Sequence, residues 1–173
     1  MRFLVLTALG LVGVLFAGSC APILEIAGIP VDPILLIIVP LAQLDRSGLP
    51  IILAAAMGFL LDLMYSTVMG MSMLCYTLTA ALVYFASRRA ERLNFLMVFG
   101  AAAGAYLLKD LIMTAVVVAV GVHGFDFVQL LVRFILPGAL IQGLFGLVTY
   151  WLFTKLMRLR FMRRRRIYAD ELG

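Results

Sequence analysis

Charge is scarce in this 173-residue chain. Only 13% of the residues are Asp, Glu, Lys or Arg, whereas 65% are hydrophobic, and the mean hydropathy is +1.14. A chain with so little polar surface cannot cover a water-exposed fold. The composition therefore argues against a soluble domain and predicts an integral membrane protein.

Histidine and cysteine are also sparse, with one histidine, His123, and two cysteines, Cys20 and Cys75. The cysteines lack metal-ligand spacing, and the chain contains no His-Glu-x-x-His run. We therefore expect no metal, no cofactor and no structural disulfide. Buried thiols are the expected state of both cysteines.

Candidate catalytic groups are few. An intramembrane protease needs a nucleophile beside a base, or a pair of facing carboxylates. His123 falls in a loop, and Ser72 is not followed by the glycine of a rhomboid-type site. Asp62 and Asp110 could be a carboxylate pair, but neither has a flanking motif that supports it. We expect a protein that is not an enzyme.

The apolar residues form long runs. A membrane-spanning helix needs roughly 20 mostly apolar residues, and charged and Pro/Gly-rich breaks divide this chain into about six segments, at 3–24, 34–44, 49–65, 70–87, 93–122 and 127–153. The expected fold is an all-α, compact bundle of about six transmembrane helices. It forms one domain over residues 1–156, followed by a basic tail over residues 157–173.

The first two segments each allow a second interpretation. Residues 17–21 resemble a leader cleavage site, but the apolar run is longer than the roughly 7–15 residues of a signal-peptide core, so we expect a retained helix. The second segment is short and contains Pro40. It either spans the membrane or forms, with the third segment, a re-entrant hairpin between Val31 and Tyr65.

The basic residues outside the segments predict the orientation. With six spans they all fall on one side: Arg2, Arg46, Arg88, Arg89, Arg92, Lys155 and the tail arginines. The positive-inside rule then places both termini in the cytoplasm. The tail run itself contains no aromatic residue, which argues against nucleic acid and favours anionic lipid, with a cytoplasmic protein as the alternative; it comprises Arg163, Arg164, Arg165 and Arg166.

Four charged residues lie at membrane depth: Asp62, Lys109, Asp110 and Arg133. A charge there costs about 2–3 kcal/mol on insertion scales, so each needs a partner or a function. We expect Asp62 to pair with Lys109 or Arg133, although Arg133 could instead reach the membrane surface. Lys109 and Asp110 project about 100° apart on a helix, so we expect them to face different helices. An ion or proton relay is the functional alternative.

Small residues predict close helix contacts. Gly58 lies in the third segment, Gly100 and Gly104 form a small-xxx-small pair in the fifth, and Gly138, Gly143 and Gly146 lie in the sixth. Such residues let helix backbones approach within a membrane. The contacts could be internal to the bundle or could join two copies as a homodimer.

Two stretches resemble the bacterial MreD family of rod shape-determining membrane proteins. They are Val31-Asp32-Pro33 with the apolar run to Pro40, and Gly58-Phe-Leu-Leu-Asp62 with Gly70 and the later Tyr76-Thr-Leu. The specific similarity covers residues 31–89. Family members commonly have Pro-Asp before the second segment, whereas here Asp32 precedes Pro33.

The resemblance implies a non-enzymatic scaffold of the cell-wall elongation machinery in the bacterial inner membrane, which helps to maintain rod shape by organising peptidoglycan synthesis. The implied partners are MreC, MreB, RodA and a class-B penicillin-binding protein. The implied fold is similar to the substrate-binding subunits of energy-coupling-factor transporters. Asp32, Gly58, Asp62 and Gly70 are the residues that it assigns to partner binding or assembly.

The same likeness supplies an alternative, a substrate-binding subunit of a vitamin or other small-molecule transporter. A ligand pocket needs several placed hydrogen-bonding side chains. We expect the outer half of the chain to offer few, namely Ser66, Thr67, Asp126 and Gln129. This expected lack of polar groups argues against the transporter interpretation.

Overall fold

A computed structural model of the chain describes residues 2–19, 25–26, 29–45, 47–65, 69–89, 94–119, 129 and 131–157. These residues contain six α-helices: α1 Arg2–Ser19, α2 Pro33–Leu44, α3 Leu49–Tyr65, α4 Met71–Arg89, α5 Phe95–Ala119 and α6 Leu136–Met157. A π-helical turn, Leu131–Ile135, precedes α6, and two-residue strands, Glu25–Ile26 and Ile29–Pro30, pair antiparallel. The expected helical bundle is confirmed.

Two stretches of helix are long and apolar enough to cross a membrane, judged by length and composition within the described residues. They are Phe95–Val116, with 22 residues, and Leu131–Met157, with 27 residues. This supports association with a membrane. Six membrane crossings and two cytoplasmic termini stay predictions.

Helix α2 lies at the centre of the bundle and contacts each of the other five helices. Its side chains Ile34, Leu35, Ile38 and Leu41 are completely buried. A helix that is apolar on all sides suits either a protein core or a membrane, and α2 lies in the core. At about 1.5 Å per residue its 12 residues extend only about 18 Å. That is shorter than the apolar thickness of a bilayer, so both interpretations of this segment remain open.

Helices α3 and α4 form a closely packed hairpin. A Cβ added at Gly58 would lie 2.6 Å from Met73 Cα and 2.8 Å from Ser72 O, so only glycine allows this approach of the two backbones. The turn between the helices ends at Gly70, whose φ of 92° is a conformation that glycine adopts without strain. The expectation of a close contact at Gly58 is confirmed.

Helices α5 and α6 form the second close pair. Cβ atoms added at Gly138 and Gly143 would overlap the rings of Tyr106 and Phe99, and one at Gly146 would overlap Ala102. The glycines of α6 therefore serve internal packing. Gly100 and Gly104 differ, because a Cβ at either would meet nothing within 4 Å. Their small-xxx-small pair makes no contact within the described bundle.

Candidate functional site

Asp32 lies where four helices meet. Its Oδ1 accepts hydrogen bonds from the backbone N–H groups of Ile34 (3.0 Å) and Leu35 (3.3 Å), and so caps the first turn of α2. Its Oδ2 accepts from the Tyr76 hydroxyl of α4 (2.6 Å) and from Lys109 Nζ of α5 (2.9 Å). A buried carboxylate is stable only when its oxygens are satisfied in this way.

Gln142 of α6 binds the backbone of the same residue. Its Oε1 accepts from Asp32 N (3.1 Å), and its Nε2 donates to Asp32 O (2.9 Å). Gln142 is 1% exposed, so both hydrogen bonds are shielded from water. Together with Tyr76 and Lys109, this amide ties the start of α2 to α4, α5 and α6.

Lys109 forms two ion pairs. Its Nζ lies 2.9 Å from Asp32 Oδ2 and 3.1 Å from Asp110 Oδ1. The expectation that Lys109 and Asp110 face different helices was wrong, because the long, flexible lysine side chain bends toward its neighbour although the two Cβ atoms diverge. Lys109 Nζ also lies 5.2 Å from the centre of the Tyr106 ring, within the range of a cation–π contact.

Asp62 does not pair with Lys109 or Arg133, so the expected interhelical ion pair was wrong. The Asp62 carboxylate instead accepts from the backbone N–H groups of Gly70 (3.0 Å), Ser72 (3.1 Å) and Met73 (3.1 Å). The first N–H groups of a helix have no partner within it. Asp62 therefore caps α4 from α3, and its charge also suits the positive end of the helix dipole.

Arg133 lies in the π-helical turn before α6 and is exposed. It forms no ion pair with a carboxylate in the part of the chain that the structure describes. Pairing of Arg133 with Asp62 is thus excluded. The exposed position agrees with the alternative that this side chain reaches toward a membrane surface.

A partly open cavity of about 430 Å³ borders this network. It is lined by polar and aromatic side chains together with apolar ones: Asp32, Tyr65, Tyr76, Tyr106, Lys109 and Asp110, with Ala17, Val31, Pro33 and Leu61. Its volume lies in the range of small-molecule sites, and a few polar groups among apolar walls are typical of such sites.

Sequence reasoning underestimated the polar content of this end of the bundle. It named Asp32, Lys109 and Asp110, but it missed Tyr76 as a partner of the carboxylate and did not single out Tyr106 or Gln142. One available signal was the isolated glutamine at position 142, since a polar side chain in an apolar helix needs a partner. The argument that the outer half lacks binding groups is corrected accordingly.

Several predicted residues lie elsewhere. Gln129 is described and exposed, and Gly70 lies in the turn before α4 rather than at the cavity. Cys75 is buried, as expected for a thiol within a helix. Outside the described residues are Cys20, Ser66, Thr67, His123, Asp126 and the tail arginines from Arg163 to Arg166.

No metal site is evident among the described side chains, in which no three His, Cys, Asp or Glu residues could hold one ion. The side chains that line the cavity offer ion pairing, hydrogen bonding and aromatic contact. Comparison of the chain with protein-family models, with curated proteins and with solved structures finds no match.

Proposed function

We propose that this protein is a non-enzymatic integral membrane scaffold of the bacterial cell-wall elongation machinery. In this role it binds MreC and, together with MreB, RodA and a class-B penicillin-binding protein, helps to maintain rod shape. The proposal rests on the sequence resemblance over residues 31–89. One structural observation supports the proposal. Gly58, Asp62 and Gly70, the most specific residues of the resemblance, all stabilise the same structural element.

That element is the α3–α4 hairpin. Gly58 allows the close backbone approach, Asp62 caps α4, and Gly70 closes the turn. A rigid hairpin suits a scaffold, because a partner can bind it without first ordering it. Large apolar side chains cover its outward face, including Phe59, Leu63, Leu74 and Leu78.

A groove between α4 and α5 is a suitable place for a partner's transmembrane helix. It encloses about 230 Å³, and its lining includes Thr79, Val83, Gly100 and Gly104. Association in a membrane depends on close packing of small residues rather than on the hydrophobic effect. A Cβ added at either glycine would meet nothing within 4 Å, which leaves space there for another helix.

The test is co-purification of MreC with the full-length protein after crosslinking in native membranes. We expect Gly104→Leu to reduce MreC recovery while membrane insertion is unchanged, because the leucine fills the groove. Ala56→Leu is the matched control, since Ala56 is also a small exposed residue but lies on α3. Absence of MreC from the wild-type sample would refute the scaffold, and equal recovery with both variants would refute the groove.

Substitutions at Gly58 or Asp62 are less informative for this question. Both residues hold α3 against α4, so their loss loosens this hairpin. Reduced partner binding by such variants would therefore not separate a contact with MreC from a folding defect.

A second candidate is a substrate-binding subunit of a small-molecule transporter. The cavity beside Asp32, Tyr76 and Lys109 favours it, because its size and mixed lining suit a small ligand. The same crosslinked sample separates the two candidates. Recovery of paired ATPases and a shared membrane coupling subunit would support the transporter, whereas MreC with a wall-synthesis polymerase would support the scaffold.

A further inference from the structure

The charges around the cavity do not balance. Among the lining residues that the structure describes, two carboxylates, of Asp32 and Asp110, face one ammonium, of Lys109, and the other titratable side chains are tyrosines. By formal charge, these described residues carry one negative charge in excess. In a poorly solvated site an excess charge attracts an ion of the opposite sign more strongly than it does in water.

The lining disfavours an anionic ligand. Lys109 is the one cationic side chain among the described lining residues, and its Nζ already contacts two carboxylate oxygens, at 2.9 and 3.1 Å. An anion could use only the third N–H of this ammonium. It would then lie beside the carboxylates of Asp32 and Asp110, and like charges repel at such short range.

The aromatic walls indicate what kind of cation fits. Tyr65, Tyr76 and Tyr106 all line the cavity, and faces of aromatic rings attract organic ammonium ions. The Tyr106 ring already faces the Lys109 ammonium, with Nζ 5.2 Å from its centre, so the half-exposed ring of Tyr65 is the aromatic surface that a ligand would contact. Ala17, Val31 and Leu61 supply apolar surface for the body of the ligand.

We propose that this cavity binds an organic ammonium ion with a short apolar body. The ammonium is either that of a free amine or that of a lipid headgroup. Asp110 is the carboxylate that contacts it, since its side chain is 21% exposed and that of Asp32 only 7%. Asp32 remains bound to Tyr76 and Lys109 and holds the walls of the site together.

This proposal goes beyond both proposed functions. Occupation of the cavity requires neither MreC nor a transporter's ATPases, and neither function specifies a cationic ligand. Ligand binding can therefore be tested on the purified protein alone. A failure of the ligand proposal leaves the scaffold untouched, because the groove of Gly100 and Gly104 is a separate surface.

The experiment is calorimetric titration of the full-length protein in dodecyl maltoside micelles, whose headgroup is uncharged. The probe is 2-phenylethylammonium chloride, with 2-phenylethanol and 3-phenylpropanoate as neutral and anionic analogues and empty micelles as blank. We expect the ammonium compound to bind at least about tenfold more tightly than either analogue, as a charge-assisted contact predicts. Native mass spectrometry of the same sample identifies any amine-bearing molecule that has remained bound during purification.

Two variants test the assigned contacts. Asp110→Asn should weaken binding about tenfold, and Asp45→Asn at the opposite end of α2 should leave it unchanged. If the Asp110→Asn variant does not fold, the Tyr65→Leu variant is used as the test instead. Tyr65 is 51% exposed, so its ring can be removed with little effect on packing, and affinity should fall several-fold while Tyr65→Phe retains it.

A further arm distinguishes the two sources of the ammonium group. Phosphatidylethanolamine that displaces the probe, where phosphatidylglycerol does not, identifies a lipid headgroup as the occupant. Probe binding that neither lipid affects identifies a free amine. The proposal is overturned if the three probes bind equally and no amine-bearing molecule is retained, or if Asp110→Asn and Tyr65→Leu both fold and leave probe binding unchanged.

Discussion

The side-chain amide of Gln142 on α6 binds both backbone polar groups of Asp32, which lies 110 positions earlier in the chain. Asp32 starts α2, the helix that contacts all the others. The amide therefore links the central helix of the bundle to its last helix by two hydrogen bonds. It also leaves the Asp32 side chain available to Tyr76 and Lys109.

Gln142→Leu should destabilise the protein by about 1–3 kcal/mol, because two buried backbone groups lose their partners. Thermal unfolding of the full-length protein in detergent measures the effect. Leu144→Ala, an exposed position on the same helix, is the control and should change the melting temperature little. A melting temperature equal to that of wild type would show that the amide is not needed.

Asp32 and Lys109 should be energetically coupled. Lys109→Met alone leaves a buried carboxylate with reduced compensation and should cost about 3–5 kcal/mol. The double variant Asp32→Asn with Lys109→Met should cost less than the sum of the two single changes. A double-mutant cycle on unfolding free energies measures the difference.

The matching cycle with Asp62→Asn and Lys109→Met should be additive, since Asp62 binds backbone N–H groups and not the lysine. Coupling in this second cycle and additivity in the first would restore the expected Asp62–Lys109 pair.

Asp62→Ala removes the cap of α4 and should cost about 1–2 kcal/mol, the usual value of a lost N-terminal cap. The effect should be local. Amide hydrogen exchange at Gly70, Ser72 and Met73 should accelerate more than exchange in the middle of α5. Equal acceleration throughout the bundle would instead indicate a global role for this carboxylate.

Gly58 and Gly100 should respond oppositely to alanine. Gly58→Ala places a methyl group 2.6 Å from the Met73 backbone, which cannot move without separating α3 from α4, so the melting temperature should fall. Gly100→Ala meets nothing within 4 Å and gains helix propensity of about 1 kcal/mol. Its melting temperature should stay the same or rise, and a fall would mean that Gly100 does pack within the bundle.

Gln43 is a buried amide near the end of α2, and its Oε1 and Nε2 have no hydrogen-bond partner among the residues that the structure describes. An unsatisfied buried polar group costs about 1–3 kcal/mol. Gln43→Met keeps similar volume and removes that cost, so it should raise the melting temperature. Loss of stability would show that the amide has a partner in the native protein.

Much of the helical framework could be predicted from the sequence. The predicted segment 49–65 coincides with α3 Leu49–Tyr65, and 34–44 differs from α2 Pro33–Leu44 by one residue. These boundaries are local: Asp32 with Pro33 is a helix start, and Gly70 permits a turn that other residues would strain. The close approach at Gly58 was also predictable, because small residues in apolar helices mark contacts.

The partners of the charged residues could not be predicted in the same way. Asp62 and Lys109 have opposite charges in the third and fifth apolar segments, and nothing local distinguishes that pair from Asp32 with Lys109. The choice depends on which helix ends lie side by side, and that is a property of the whole packing. The free N–H groups at the start of α4 then satisfy Asp62, and the lysine is left to Asp32 and Asp110.

Composition and local patterns are enough to predict the class of this protein, an apolar helical bundle with few charges, since run length, helix-breaking residues and caps act over a few neighbouring positions. The meeting of Asp32, Tyr76, Lys109 and Gln142, and the cavity beside them, follow instead from the way the helices pack. The two kinds of feature depend on contacts of different range along the chain. Helix formation depends on contacts three or four residues apart, whereas these side chains are joined across 44 to 110 positions by the packing of α4, α5 and α6 against α2.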